Sequence, residues 1–161
     1  MNTETALFAS GCFWGTEFYF QKAEGVIATS VGYSGGSTEN PTYDQVSTGN
    51  TGHAESIEVI YDPSKTSYEN MVKLFYETHD PGQKDRQGPD IGTQYRSAIF
   101  YRDDAQKAIA EEVTKLLKAK GYKVETEITK AGTFYKAENY HQNYYNNTGG
   151  SPYCHFYTKK F

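Results

Sequence analysis

A chain of 161 residues fits one domain and buries roughly 70% of its unfolded surface, enough to fold without staples. Sixteen basic against twenty acidic side chains leave a net charge of −4 with no basic block, which argues against nucleic acid or an anionic membrane as the main partner. No apolar run approaches the about 20 residues of a membrane span, and Ala6-Leu7-Phe8-Ala9 is shorter than the about 7–15 residues of a signal-peptide core, so the expected compartment is the cytosol.

Thr5 to Ser10 reads as a short buried strand. It runs into Gly11-Cys12-Phe13-Trp14-Gly15, and a helical pattern continues to about Ala23, closed by Gly25. Val26 to Tyr33 is rich in β-branched residues and stops at Ser34-Gly35-Gly36; a polar loop with Asn40-Pro41 then leads to Gly52. Ala54 to Tyr61 alternates as a strand. Thr66 opens a helix, with Glu69 three residues on as a capping box and Tyr68, Met71, Val72 and Phe75 as its apolar face. His79 to Thr93 is a long loop punctuated by Gly and Pro, a length that in a compact domain points to function.

Gln94 to Tyr101 reads as a strand, and Asp103 to Lys120 as the clearest helix, with Ile109, Val113, Leu116 and Leu117 inward and Gly121 past its end. Lys123 to Thr129 is one more strand, and a helix near Glu138 to Asn146 interrupts an otherwise irregular, aromatic tail. The order β-α-β-β-α-β-α-β predicts an α+β sandwich on a small mixed sheet. Its first six elements match the ferredoxin-like split pattern, within one domain over residues 1–161. Fifteen Tyr and nine Phe against only four Leu make aromatic rings the main currency of burial here.

Cys12 stands where a strand becomes a helix, and the orphan N–H groups and positive dipole end there favour a thiolate. The alternative is a small buried hydrophobe; Phe13 and Trp14 beside it tilt toward a pocket. Cys154 is the other cysteine, in Gly149-Gly150-Ser151-Pro152-Tyr153-Cys154. It reads as an inert thiol, a structural disulfide partner of Cys12, a metal ligand, or a thiol on a flexible tail that reacts with Cys12 and leaves. The metal reading is weak, because there is no C-x-x-C and adjacent Cys154-His155 lacks zinc-site spacing. A structural disulfide fits secretion, which the N-terminus does not support. Among the histidines only His53 sits in a motif-like setting and offers a base to Cys12, as in a cysteine hydrolase. Glu55, at a strand start, is either a surface carboxylate or an acid held protonated by desolvation. Asp90 and Tyr95 carry the same ambiguity. The residues alone leave open an enzyme with a reactive thiol, a Cys–His hydrolase, and an aromatic binding module stapled by Cys12 and Cys154.

Gly11-Cys12-Phe13-Trp14-Gly15 resembles the signature of the A-type peptide methionine sulfoxide reductases. The similarity extends through Gly32-Tyr33-Ser34-Gly35-Gly36, Pro41-Thr42-Tyr43, Gly52-His53-Ala54-Glu55, Gly92-Thr93-Gln94-Tyr95-Arg96-Ser97 and Tyr140-His141-Gln142, in order along nearly the whole chain. The resemblance implies that Cys12 attacks the sulfoxide sulfur while Glu55 protonates its oxygen, with Tyr43 and Tyr95 hydrogen-bonded to that oxygen. Phe13 and Trp14 then wall the pocket of the substrate methyl group, and Asp90 holds the substrate backbone through water. Cys12 becomes a sulfenic acid, Cys154 condenses with it, and a thioredoxin-type reductant reopens the disulfide. The expected partners are proteins or peptides carrying methionine sulfoxide, and no metal or cofactor is implied. The sequence departs from many relatives in two places. Gly82 follows His79-Asp80-Pro81 where Thr is common, and no second recycling cysteine follows Cys154.

Overall fold

The computed structural model describes residues 2–153 and 155–161. Its elements are β1 (Glu4–Ser10), α1 (Phe13–Phe20), β2 (Val26–Ser34), α2 (Tyr43–Ser47), β3 (Ala54–Tyr61), α3 (Tyr68–Glu77), β4 (Arg86–Gln87), β5 (Asp90–Ile91), β6 (Ser97–Tyr101), α4 (Asp104–Ala119), β7 (Glu127–Lys130), β8 (Tyr135–Lys136) and α5 (Tyr144–Thr148). Single 3-10 turns cover Thr93–Tyr95 and Asn139–His141. The fold is mixed α+β. Six strands form one sheet in the order β7-β6-β1-β3-β2-β8, and β4 and β5 form a separate small hairpin. Every pairing in the large sheet is antiparallel except β6 with β7.

Alternation along the central strands decides which layer each side chain enters. Ala6 and Phe8 of β1 share a cluster with Ile57, Val59 and Tyr61 of β3 and with the buried faces of α1, α3 and α4. Leu7 and Ala9 point the other way, with Ala54, Ala98 and Phe100, and are covered by Ala131 and Phe134. Aromatic stacking fills the helical side. The Phe8 ring lies 5.5 Å from Phe20, 6.1 Å from Tyr68 and 5.1 Å from Phe75, and each such ring buried is worth about 1.5–3 kcal/mol. With 55, 57, 59 and 61 on one face of β3, Glu55 is delivered to the helical side at the end of β1 where α1 begins.

Helix α3 begins one residue later than the sequence places it. Ser67, not Thr66, is the N-cap, and its hydroxyl accepts from the Asn70 N–H; Glu69 instead pairs with Lys73 at 3.3 Å. The full capping box is at Thr42 and Gln45, opening α2 inside the segment read as a polar loop. In α4, Asp103 is the N-cap and the helix starts at Asp104; Val113 and Leu117 are buried, whereas Leu116 is 44% exposed. Leu116 and Leu117 are a helix's 100° apart, and only one of them faces the sheet. Strand β6 starts at Ser97 rather than Gln94, because the preceding residues wind into the 3-10 turn. Strand β7 starts at Glu127 rather than Lys123. The long loop is partly built: β4 and β5 pair Gln87 with Asp90, and the Gln87 amide spans the Asp80 N–H and carbonyl, both at 2.9 Å. Gly82 takes part through its N–H, which closes a turn on the Asp80 carboxylate at 2.9 Å.

The helix expected over 138–146 is interrupted. Gln142 is extended and Asn143 left-handed, and α5 starts only at Tyr144. Gln142 uses its side chain as a strand would use its backbone. Its Oε1 accepts from the Val31 N–H at 2.8 Å, and its Nε2 donates to the Val31 and Ala137 carbonyls. That fixture on the edge of β2 overrides helical propensity.

Candidate active site

The site is built where β1 hands over to α1. Gly11 has φ of +91°, and the Gln87 side chain approaches so closely that a Cβ would stand 2.7 Å from the Gln87 Cβ. Cys12 follows as the N-cap of α1, 6% exposed, with extended backbone. Its carbonyl accepts from the Gly15 and Thr16 N–H groups and from the Thr16 hydroxyl. The next N–H, of Phe13, is one of the orphan donors of a helix start and goes to Glu55 Oε1 at 3.2 Å.

Glu55 is 1% exposed, and its second oxygen, Oε2, has no hydrogen-bond partner among the described residues. Burial pushes its pKa up to about 8; the Phe13 N–H opposes the shift and the charge of Asp90 adds to it. A carboxyl with that pKa is largely protonated near neutrality, one backbone residue from the thiol. Two phenols converge on the same point. Tyr43, the first residue of α2, has its pKa pushed up to about 12, by burial first and then by the charges of Glu55 and Cys12. Tyr95, which ends the 3-10 turn rather than lying in a strand, is raised by burial and by Glu55, Tyr43, Asp90 and Cys12. Asp90 sits at the hairpin on the rim and accepts from the Tyr153 hydroxyl at 2.9 and 2.8 Å.

The aromatic wall divides into a floor and a rim. Phe13 is fully buried, its ring 5.7 Å from Tyr33, 6.3 Å from Tyr43 and 5.2 Å from His141. Trp14 is half-buried, stacked 3.8 Å from Tyr144 and 6.4 Å from Tyr43, and its indole N–H donates to His141 Nδ1 at 3.0 Å. His141 and Tyr144 join this wall without any role legible in the sequence. The signal was present in Tyr140-His141-Gln142, but only the fold shows that these residues lie against α1.

His53 is not a base for Cys12. Its Nδ1 accepts from the Gly36 N–H at 3.0 Å and its Nε2 donates to the Thr38 carbonyl at 2.7 Å, so both ring nitrogens secure the turn after β2. His155, adjacent to Cys154 in the weak metal reading, is instead buried against α1. Its Nε2–H donates to the Ser10 carbonyl at 2.5 Å, its own carbonyl accepts from the Tyr19 hydroxyl at 3.2 Å, and burial pushes its pKa down to about 4. Cys154 lies outside the described residues. Among those described, no cluster of three or more His, Cys, Asp or Glu has the makings of a metal site, and no helix is long and apolar enough to cross a membrane.

Chemically, the arrangement joins a helix-start thiol to a buried carboxyl and two phenols under an aromatic rim. That constellation suits a thiol nucleophile working beside a proton donor. Comparison with known proteins gives the class. The profile of the family described as peptide methionine sulfoxide reductase matches residues 4–161. The chain is 54% identical over 145 residues to the peptide methionine sulfoxide reductase MsrA of Methanococcoides burtonii, covering 88% of this chain and 95% of that protein. It is similar to the crystal structure of Mxr1 from Saccharomyces cerevisiae in reduced form, with a TM-score of 0.91, 32% identity, and coverage of 96% of this chain and 92% of that one. Mxr1 in complex with Trx2 also matches, with a TM-score of 0.65, 25% identity, and coverage of 96% and 89%. The chain belongs to the peptide methionine sulfoxide reductase family: it is an oxidoreductase that returns methionine sulfoxide to methionine.

Proposed function

We propose that residues 1–161 act as one catalytic unit that reduces the S epimer of methionine sulfoxide, protein-bound and free, and is recycled by a thioredoxin-type reductant in the cytoplasm. The observation that carries the mechanism is the buried Glu55 carboxyl held by the Phe13 N–H, next in the chain to Cys12, with its pKa pushed up to about 8. Cys12 thiolate attacks the substrate sulfur while the Glu55 proton passes to the sulfoxide oxygen. That oxygen leaves the substrate sulfur and ends as the hydroxyl of a Cys12 sulfenic acid. Substrate sulfur gains two electrons, Cys12 sulfur loses them, and methionine departs. Tyr43 and Tyr95, kept protonated by burial, donate to the oxygen as it takes up charge.

Phe13 and Trp14 wall the apolar cleft for the methyl group, and Asp90, on the rim beside Tyr153, holds the substrate backbone through water. The thiol of Cys154 then attacks the Cys12 sulfenic sulfur. The S–O bond breaks, the hydroxyl leaves as water with the thiol proton, and the disulfide goes to the reductant. The Mxr1 complex with Trx2 supports a thioredoxin-type partner. The strand order β6-β1-β3-β2, with α1 and α3 as the crossovers, supports the ferredoxin-like reading of the core, with β7 and β8 added at its edges.

The test is thioredoxin-dependent NADPH consumption with the separated sulfoxide epimers of a blocked methionine. Cys12, the acid and the methyl cleft fix three directions around a chiral sulfur, so turnover is expected with the S epimer alone. Comparable turnover of both epimers rejects this assignment.

A further inference from the structure

His155 follows Cys154 directly and, among the described residues after 150, is the one near both glycines flanking Cys12. An added Cβ at Gly15 would stand 2.8 Å from the His155 Cγ, and one at Gly11 would stand 3.4 Å from its Cε1. The imidazole therefore lies in a slot that a side chain at Gly15 would fill, while at Gly11 it makes ordinary van der Waals contact. Its Nε2–H is fixed on the Ser10 carbonyl and its backbone carbonyl on the Tyr19 hydroxyl, 3.2 Å away. On the other side of Cys154 in the sequence, the Tyr153 hydroxyl is tied to both oxygens of Asp90. Further on, the Thr158 and Lys160 N–H groups donate to the Glu77 carbonyl and carboxylate, at 2.8 and 3.0 Å. The nucleophile's partner segment is thus anchored on α1 by a buried, neutral side chain.

We infer that His155 is a positioning residue for the second chemical step: it docks the tail in the groove beside Gly11 and Gly15, so that sulfenic acid formed on Cys12 is trapped as a disulfide without a search by the chain. The inference deepens the function proposed above and rests on its assignment of Cys154. Holding reactants in place is worth large factors in rate, and a misplacement of about 1 Å costs about 10²-fold. The role belongs to resolution and not to sulfoxide reduction. His155 therefore governs the step in which the thiol of Cys154 closes on Cys12 sulfur and water leaves.

The experiment oxidises the reduced enzyme with one equivalent of methyl sulfoxide substrate and follows three signals. These are methionine released, Cys12 sulfenic acid trapped by a dimedone-type probe, and Cys12–Cys154 disulfide by mass spectrometry. His155→Ala should release about one methionine per enzyme in a parental burst, show slower disulfide formation by roughly 10²-fold, and accumulate sulfenic acid. His155→Gln, whose amide N–H reaches toward the Ser10 carbonyl, should recover much of the rate. Gly15→Ala should slow the same step by closing the slot from the other side, and adding His155→Ala to it should slow the step no further. A His155→Ala disulfide rate equal to the parent's overturns the inference while leaving the proposed function standing. A parent that forms sulfenic acid but no Cys12–Cys154 disulfide overturns the Cys154 assignment and the inference with it.

Discussion

Two sides of the same sheet layer are held together by different means. Toward α3 and α4 the contacts are apolar and periodic: Phe8, Tyr68 and Phe75 stack, and Val113 and Leu117 share their cluster. Toward α1 and the C-terminal segment the ties are single polar bonds across more than a hundred residues. Glu17 holds the Asn143 N–H at 2.7 Å, Gln142 bridges Val31, the Tyr33 hydroxyl donates to Glu138 at 2.9 Å, and His155 reaches Ser10. The first side is a frame set by hydrophobic pattern; the second is irregular chain pinned to that frame at chosen atoms. Chemistry is placed on the second, where a carboxyl, a thiol and two phenols meet.

Breaking the frame should cost the most. Phe8→Ala removes the ring at the centre of the stack and should destabilise by ~3–5 kcal/mol, lowering Tm by roughly 10 °C or more. The fraction still folded should keep the parental single-turnover rate. A variant that folds normally but reduces sulfoxide slowly would place Phe8 in the site instead.

The two sides should also titrate with opposite sign. Folding protonates Glu55, since its pKa rises from 4.5 to about 8. Its stabilising contribution is full below pH 4.5 and is lost as pH climbs through about 8. Glu55→Gln, which titrates nothing, should therefore gain stability relative to the parent across that window, by at most about 1.4 kcal/mol per pH unit. His79 lies on the other side, its Nδ1–H donating to the Phe75 carbonyl and its pKa pushed down by burial to about 3. Its contribution is present above pH 6.5 and is lost as pH falls toward 3. His79→Gln should gain relative to the parent only on acidification. Urea midpoints of the three proteins between pH 4 and 9 check both signs, and parallel curves contradict them.

Trp14→Ala should be intermediate. The indole is half-buried, so the loss should fall below the about 3–5 kcal/mol of a fully buried Trp, while KM for the sulfoxide rises. Stability loss with unchanged KM would assign Trp14 to the frame. The smallest change comes from Leu116→Ala, within about 0.5 kcal/mol in a urea melt, against ~2–5 kcal/mol for its buried neighbour Leu117→Ala.

The contrast explains what the sequence made legible. Periodic elements were readable because alternation and helical spacing act locally: Ala54–Tyr61 matches β3, and Asp103 caps α4. The segments after Lys130 were not, because their conformation is decided by distant partners. No propensity predicts that Gln142 abandons a helix to serve as a strand edge for Val31. In the site, Cys12 could be read from its strand-to-helix context and Glu55 from its place at a strand start. Whether Glu55 is a surface carboxylate depended on which face of β3 it shares with Ile57 and Val59, and on α1 covering that face. His155 carried no readable signal, since its place depends on the space left by Gly15, 140 residues earlier.

The pairing of Cys12 with a protonated Glu55 is tested most directly by the pH dependence of single-turnover methionine release, in the parent and in Glu55→Gln, both with the S sulfoxide. The parent rate should fall as pH rises through about 8, where the buried carboxyl loses its proton. The variant should be slower by roughly 10²–10⁴-fold at neutral pH and should show no decline near pH 8. A variant within a few-fold of the parent, with the same decline on the alkaline side, would contradict Glu55 as the proton donor.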